Sequence, residues 1–203
     1  MRRILLYGGA FDPPHLGHSR LLEAAIQEID PDLTLVIPTA VSPHKTPTAT
    51  PYADRACMAR VFCDLAGAIR ISGVEYTSRK RKSYTFQTVK RLERRYPDAA
   101  FTLLIGSDML MTFDEWHRYR RLCTRVDIVA AVRRNEDSRH VDASVHMIEG
   151  LGGRVRLMEF DPLDISSTEI RKRVRAGRSL DGLVHENVER YIKARKLYLD
   201  APR

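Results

Sequence analysis

The chain has 203 residues, 43% of them hydrophobic and 30% charged, and a formal net charge of +8. That length and apolar content suit one domain with a real core, while the basic balance suits anionic partners without choosing among nucleotides, nucleic acid and acidic lipid. Cys57, Cys63 and Cys123 are odd in number and lack CxxC spacing, so a disulfide framework and a structural zinc site are both disfavoured and a reducing cytoplasm fits best.

The N-terminal run Met1-Arg2-Arg3-Ile4-Leu5-Leu6-Tyr7 is basic, then apolar, and stops at Gly8. It is too short for a signal-peptide core, and nothing later approaches the length of a membrane span. Arg3 to Tyr7 reads as a buried strand, and Leu16 to Ile29 carries apolar residues at helical spacing. Between them lies Gly8-Gly9-Ala10-Phe11-Asp12-Pro13-Pro14-His15-Leu16-Gly17-His18, a strand-to-helix turn. Glycines there let backbone N–H groups approach an anion, and the helix N-terminus adds partial positive charge. His15 and His18 share one face of the first helical turn. Either histidine alone would be ordinary; glycines, an aspartate, prolines and paired histidines in one turn are a specific pattern.

Leu33 to Ile37 reads as the second strand. Residues 38–51 hold Pro38, Pro43, Pro47 and Pro51 among several threonines, so they read as a long loop, which in a compact enzyme is often a binding element. Tyr52 to Leu65 looks helical, Ile69 to Val74 strand-like, Thr85 to Arg95 an amphipathic helix, and Phe101 to Ile105 a buried strand ending at Gly106. Ile128 to Val132 repeats the strand pattern. His140 to Leu151 reads as a helix, Val155 to Phe160 as the last strand, and Ser167 to Arg175 and Leu183 to Ala194 as closing helices. There is no internal repeat or low-complexity tract. This alternation predicts an α/β fold: a Rossmann-like open parallel sheet with helices on both faces and a small C-terminal helical subdomain. The expected organisation is a single domain over 1–203, with roughly 161–203 as its helical C-terminal part.

Open parallel sheets bind ligands beyond the carboxyl ends of their strands. Gly8, then His44 and Lys45, then Gly106 and Asp108, then the Arg133-Arg134 pair all follow strands, so one crevice can collect them. The run Arg79-Lys80-Arg81-Lys82 reads as a solvated loop, and no zinc-finger spacing or aromatic stacking platform accompanies it. Ile165-Ser166-Ser167-Thr168-Glu169-Ile170-Arg171 reads first as a helix cap, with Ser166 or Ser167 as N-cap. The same segment presents N–H groups, hydroxyls and a guanidinium to an oxyanion.

The first of these segments resembles the GGxFDPxHxGH signature of the nucleotidyltransferase superfamily, and the last matches its ISSTxIR motif residue for residue. Ser42-Pro43-His44-Lys45, Ser83-Tyr84-Thr85, Gly106-Ser107-Asp108 and Phe113-Asp114-Glu115-Trp116 further resemble bacterial nicotinate-nucleotide adenylyltransferases, and the likeness spans nearly the whole chain. The resemblance implies adenylyl transfer from ATP to nicotinate mononucleotide, giving deamido-NAD and pyrophosphate. It nominates His15 and His18 as catalytic. ATP falls to Gly8, Gly9, Ala10, Phe11, Lys45, Gly106, Asp108, Ser167, Thr168 and Arg171, and the mononucleotide to Asp12, His44, Thr85, Trp116 and Arg133, with Trp116 stacking on the pyridine ring. Mg²⁺ is expected on the ATP phosphates and not in a protein cage. Neither a membrane nor nucleic acid is an expected partner, and homo-oligomerisation stays open.

Two segments depart from the family pattern. Ser42 stands where the resemblance leads one to expect proline, and Val132-Arg133-Arg134-Asn135-Glu136 replaces an Arg-Pro-Gly turn, leaving the match between Arg133 and Arg134 open. A second reading keeps the superfamily and changes the acceptor to nicotinamide mononucleotide, phosphopantetheine or another phosphorylated molecule, because the first and last motifs report only nucleotide chemistry. A third makes the chain a basic nucleic-acid-binding protein, in which His15, His18, Ser167, Thr168 and Arg171 would have no purpose.

Overall fold

A computed structural model of the protein, describing residues 1–42, 50–76, 82–133 and 138–199, forms one six-stranded sheet with every pairing parallel. The strands are β1 (Arg2–Gly9), β2 (Leu33–Pro38), β3 (Ile69–Ile71), β4 (Ala99–Gly106), β5 (Asp127–Val132) and β6 (Arg154–Glu159). Their order is β3-β2-β1-β4-β5-β6. The chain therefore winds outward from β1 in one direction and then, from β4, in the other. The switch point lies between the carboxyl ends of β1 and β4, where a doubly wound sheet opens a crevice.

Because β1 is central and covered on both faces, Ile4, Leu5, Leu6 and Tyr7 form an unbroken buried run and not an alternating one. Alternate side chains enter opposite layers. Ile4 and Leu6 join Leu35, Leu103 and Ile128 under α3 (Thr85–Arg95) and α6 (Ser138–Gly150). Leu5 and Tyr7 join Val36, Leu104 and Val129 under α1 (Leu16–Ile29) and the 3₁₀ turn Ala59–Asp64 that continues α2 (Tyr52–Met58).

The segment after β4 contains α4 (Ser107–Met111), a 3₁₀ turn at Phe113–Glu115 and α5 (Tyr119–Leu122), none of which the sequence pattern reveals. Elements this short span too little of a helical period to show one. Other boundaries shift for local reasons. The expected helix 52–65 tightens to 3₁₀ geometry after Met58. β3 stops at Ile71 and not Val74, since Gly73 opens a turn closed by the Tyr76 N–H at 2.9 Å. The final helix begins at Glu186 and not Leu183, because the His185 side chain accepts from the Asn187 N–H and caps it there.

α7 (Ser167–Arg175) and α8 (Glu186–Arg195) share an apolar cluster, Ile170, Leu180, Val184, Val188 and Ile192, with Met58 and Val61 of the main body. Tyr191 Oη donates to the buried Asp54 at 2.8 Å and Arg195 Nε donates to the same oxygen at 3.3 Å. The C-terminal helices are thereby fastened to α2, which brings α7 up to the turn after β1.

Candidate active site

The crevice at the switch point has a volume of about 1580 Å³. A pocket for one drug-sized ligand occupies roughly 300–1,000 Å³, so two nucleotides fit. Gly8 to Asp12, His15, His18, Thr85, Gly106, Asp108, Trp116, Ser167, Thr168 and Arg171 all line it.

The turn after β1 is shaped by its own residues. Phe11 has a left-handed φ of 48° and its ring is 1% exposed, packed edge-on to Tyr7, Phe62 and His18. A Cβ on Gly9 would lie 2.8 Å from that ring, so glycine is required for Phe11 to fold back. What Phe11 offers a ligand is therefore backbone. A Cβ on Gly8 would meet nothing within 4 Å, and that space belongs to the crevice.

His15 is the N-cap of α1, and the paired histidines form a reciprocal cap. The His18 N–H donates to His15 Nδ1 at 3.3 Å and the His15 N–H donates to His18 Nδ1 at 3.2 Å. The rings stack at 3.6 Å between centroids, and a Cβ on Gly17 would sit 3.1 Å from His15 Nδ1. The three-residue spacing and the intervening glycine thus have a local cause. The cap also fixes the tautomers: with each Nδ1 accepting, the ring proton sits on Nε2, and both histidines offer an N–H donor. Burial pushes the His15 pKa down to about 4, so this donor is neutral imidazole at neutral pH.

The two end motifs meet. Ser166 caps α7 by accepting from the Glu169 N–H at 3.2 Å. Ser167 Oγ donates to the Pro13 carbonyl at 2.9 Å, and Arg171 Nη1 donates to the Asp12 carbonyl at 2.7 Å. Asp12 is 5% exposed, with one carboxylate oxygen accepting from Tyr198 Oη at 2.8 Å and the other 4.0 Å from Arg171. Burial, then the charge and hydrogen bond of Asp12, hold the Tyr198 phenol above its ordinary range, so it stays a donor.

On the opposite side, Thr85 opens α3 and Trp116 follows the 3₁₀ turn, half-buried against Phe113 with ring centroids 5.2 Å apart. Tyr84 and His117 lie 4.3 Å apart at the same wall. Asp108 folds over Gly106, where a Cβ would lie 2.7 Å from its carboxylate. Arg133 is exposed beyond β5 and is not among the crevice-lining residues. His44, Lys45, Arg134 and Arg79 to Arg81 lie outside the described residues.

Three contributors escape sequence reasoning. Arg55 lies on the inner face of α2 at helical spacing with Tyr52 and Met58, a placement that is itself a signal because an arginine there must be paired. Glu75 and Tyr198 reach the crevice through long-range contacts that no local pattern announces. Among the described residues no group of three or more His, Cys, Asp or Glu is placed to hold a metal ion, and no helix is long and apolar enough to cross a membrane.

Residues 6–173 match the model of the cytidylyltransferase-like family. The probable nicotinate-nucleotide adenylyltransferase of Exiguobacterium sibiricum is 37% identical over 196 residues, covering 97% of this chain and 98% of the relative. That of Gemmatimonas aurantiaca is 36% identical, covering 99% and 94%. Among solved structures, Plasmodium falciparum nicotinic acid mononucleotide adenylyltransferase complexed with NaAD superposes with a TM-score of 0.78 at 20% identity, covering 98% of each chain.

Proposed function

The chain belongs to the cytidylyltransferase-like family, alongside the bacterial nicotinate-nucleotide adenylyltransferases, and from that membership we propose that it joins the adenylyl group of ATP to nicotinate mononucleotide, giving deamido-NAD and pyrophosphate. The observation that carries the reading is the convergence in one crevice of a paired-histidine helix start, a second capped helix start with Arg171, and the Trp116 ring on the facing wall.

The 5′-phosphate of the mononucleotide attacks the α-phosphorus of ATP in line. A P–O bond forms there as the bond to the bridging oxygen breaks and its electron pair leaves with pyrophosphate. The nucleophile is already an anion, so no general base is needed, and catalysis rests on positioning and on stabilising charge. His15 and His18 donate Nε2–H to the phosphate oxygens where charge develops, and the turn Gly8 to Phe11 supplies backbone N–H groups. Thr168, Arg171 and the N-terminus of α7 hold the β- and γ-phosphates with Lys45. Trp116 stacks on the pyridine ring and Thr85 contacts the same substrate, while Gly106 and Asp108 serve the adenosine sugar.

Asp12 and Glu75, the buried carboxylates of the crevice, are committed to protein donors, so the donor set suits Mg²⁺ carried on ATP phosphate oxygens and water. Bound there, the ion would offset phosphate charge. The free cysteines Cys57, Cys63 and Cys123 suit a reducing cytoplasm, where we place the reaction. The test is incubation with α-³²P-ATP, Mg²⁺ and nicotinate mononucleotide. Label recovered in deamido-NAD with stoichiometric unlabelled pyrophosphate supports the reading; label recovered only in ATP or AMP overturns it.

A further inference from the structure

Arg55 is 1% exposed, yet its guanidinium reaches the crevice wall. Nη1 donates to the Ala10 carbonyl at 2.7 Å, Nη2 to the Ala40 carbonyl at 3.3 Å and Nε to the Thr50 carbonyl at 3.3 Å. One side chain on α2 therefore ties the turn after β1 to both described edges of the loop after β2. The planar guanidinium fork suits this task, since its donors diverge in fixed directions. The cation also lies 5.6 Å from the Tyr52 ring centroid.

The Ala40 peptide is held from both ends. Its carbonyl accepts from Arg55, and its N–H donates to Glu75 Oε2 at 3.1 Å, while Thr88 Oγ1 of α3 donates to Glu75 Oε1 at 2.8 Å. Arg55 and Glu75 thus link α2, the β2 loop and α3 around the crevice. At the other loop, the Ala10–Phe11 peptide is trans, so pinning the Ala10 carbonyl to Arg55 sets the direction of the Phe11 N–H on the opposite side of the plane. That N–H is one of the backbone donors the proposed function assigns to phosphate, and it belongs to a residue in the left-handed region, a conformation that needs support from its surroundings.

We infer that Arg55 is a positioning residue for adenylyl transfer, holding the phosphate-binding turn and the facing loop at a fixed separation before substrates arrive. The inference rests on the proposed function. A displacement of about 1 Å at such a donor costs on the order of a hundredfold in rate, and a buried arginine that served only to fill space would not show this signature.

The experiment compares wild type, Arg55→Lys and Arg55→Ala. Lysine keeps the charge but cannot span three divergent carbonyls. The expected result for Arg55→Lys is a fall in kcat of about ten- to a hundredfold, with KM for ATP within about threefold of wild type. Millimolar guanidinium should restore the Arg55→Ala enzyme by at least about tenfold where methylammonium does not, because the planar fork and not the charge alone is needed. If Arg55→Ala does not fold, Arg55→Lys decides alone. An Arg55→Lys enzyme with kcat within about threefold of wild type, or one whose whole loss equals its unfolded fraction at the assay temperature, overturns the inference. Wild type inactive with nicotinate mononucleotide would instead overturn the functional reading, and this inference with it.

Discussion

The reciprocal histidine cap allows structure and chemistry at one residue to be separated. Replacing His15 by alanine removes the N-cap of α1 and an Nε2–H donor together; replacing it by asparagine keeps a side-chain acceptor for the His18 N–H and removes only the imidazole. Loss of a cap costs about 1 kcal/mol, which in a chain of 203 residues lowers Tm by roughly 2–4 °C. Loss of one preorganised donor costs about two to three orders of magnitude in kcat. Both variants should show that catalytic loss, while only His15→Ala shows the full drop in Tm. The pH dependence adds a second readout. With the folded pKa pushed down to about 4 from an ordinary 6.5, the unfolded chain takes up its proton first as pH falls, so His15 withdraws stability between about pH 6.5 and 4 and contributes no slope above that window. The full withdrawal is on the order of 3 kcal/mol, and Tm against pH should be shallower there for His15→Asn than for wild type. Differential scanning fluorimetry from pH 4 to 8, beside steady-state pyrophosphate release, measures all three quantities. His15→Asn retaining activity within tenfold of wild type would show that the imidazole donor does not carry the rate, and a loss of Tm equal to that of His15→Ala would show that asparagine does not keep the cap.

Trp116→Ala should raise KM for the mononucleotide by about five- to a hundredfold, the worth of one stacking contact, with KM for ATP nearly unchanged; initial-rate kinetics with each substrate varied in turn decides this. Gly17→Ala gains helix propensity worth up to about 1 kcal/mol, but its Cβ lies 3.1 Å from His15 Nδ1, so Tm should hold or rise while kcat falls at least about tenfold. Removing Mg²⁺ with EDTA should stop turnover, and adding back Mg²⁺ should restore it without the slow recovery of a refolding protein, since the ion is expected on ATP.

Strong local signals gave most of the fold. The apolar run of β1 and the helical spacing of α1, α3 and α7 each belong to one contiguous segment, and α1, α3 and α7 begin and end where the pattern places them. The short elements between Ser107 and Leu122 did not show, because four or five residues carry no period. The candidate site divides in the same way. His15, His18, Ser167 and Arg171 stand in compact motifs whose spacing the caps explain, but the bonds from Ser167 to Pro13 and from Arg171 to Asp12 join residues more than 150 positions apart. Tyr198 on Asp12 and Arg55 on Ala10 are likewise products of tertiary folding, and only the buried helical position of Arg55 gave any hint.

Selection of nicotinate mononucleotide as the adenylyl acceptor by this crevice is read from kcat/KM for pyrophosphate release from ATP and Mg²⁺ with nicotinate mononucleotide, nicotinamide mononucleotide and phosphopantetheine compared side by side. The expected result is a preference of at least tenfold for the nicotinate acceptor; equal rates with both pyridine nucleotides, or turnover with phosphopantetheine alone, would contradict it.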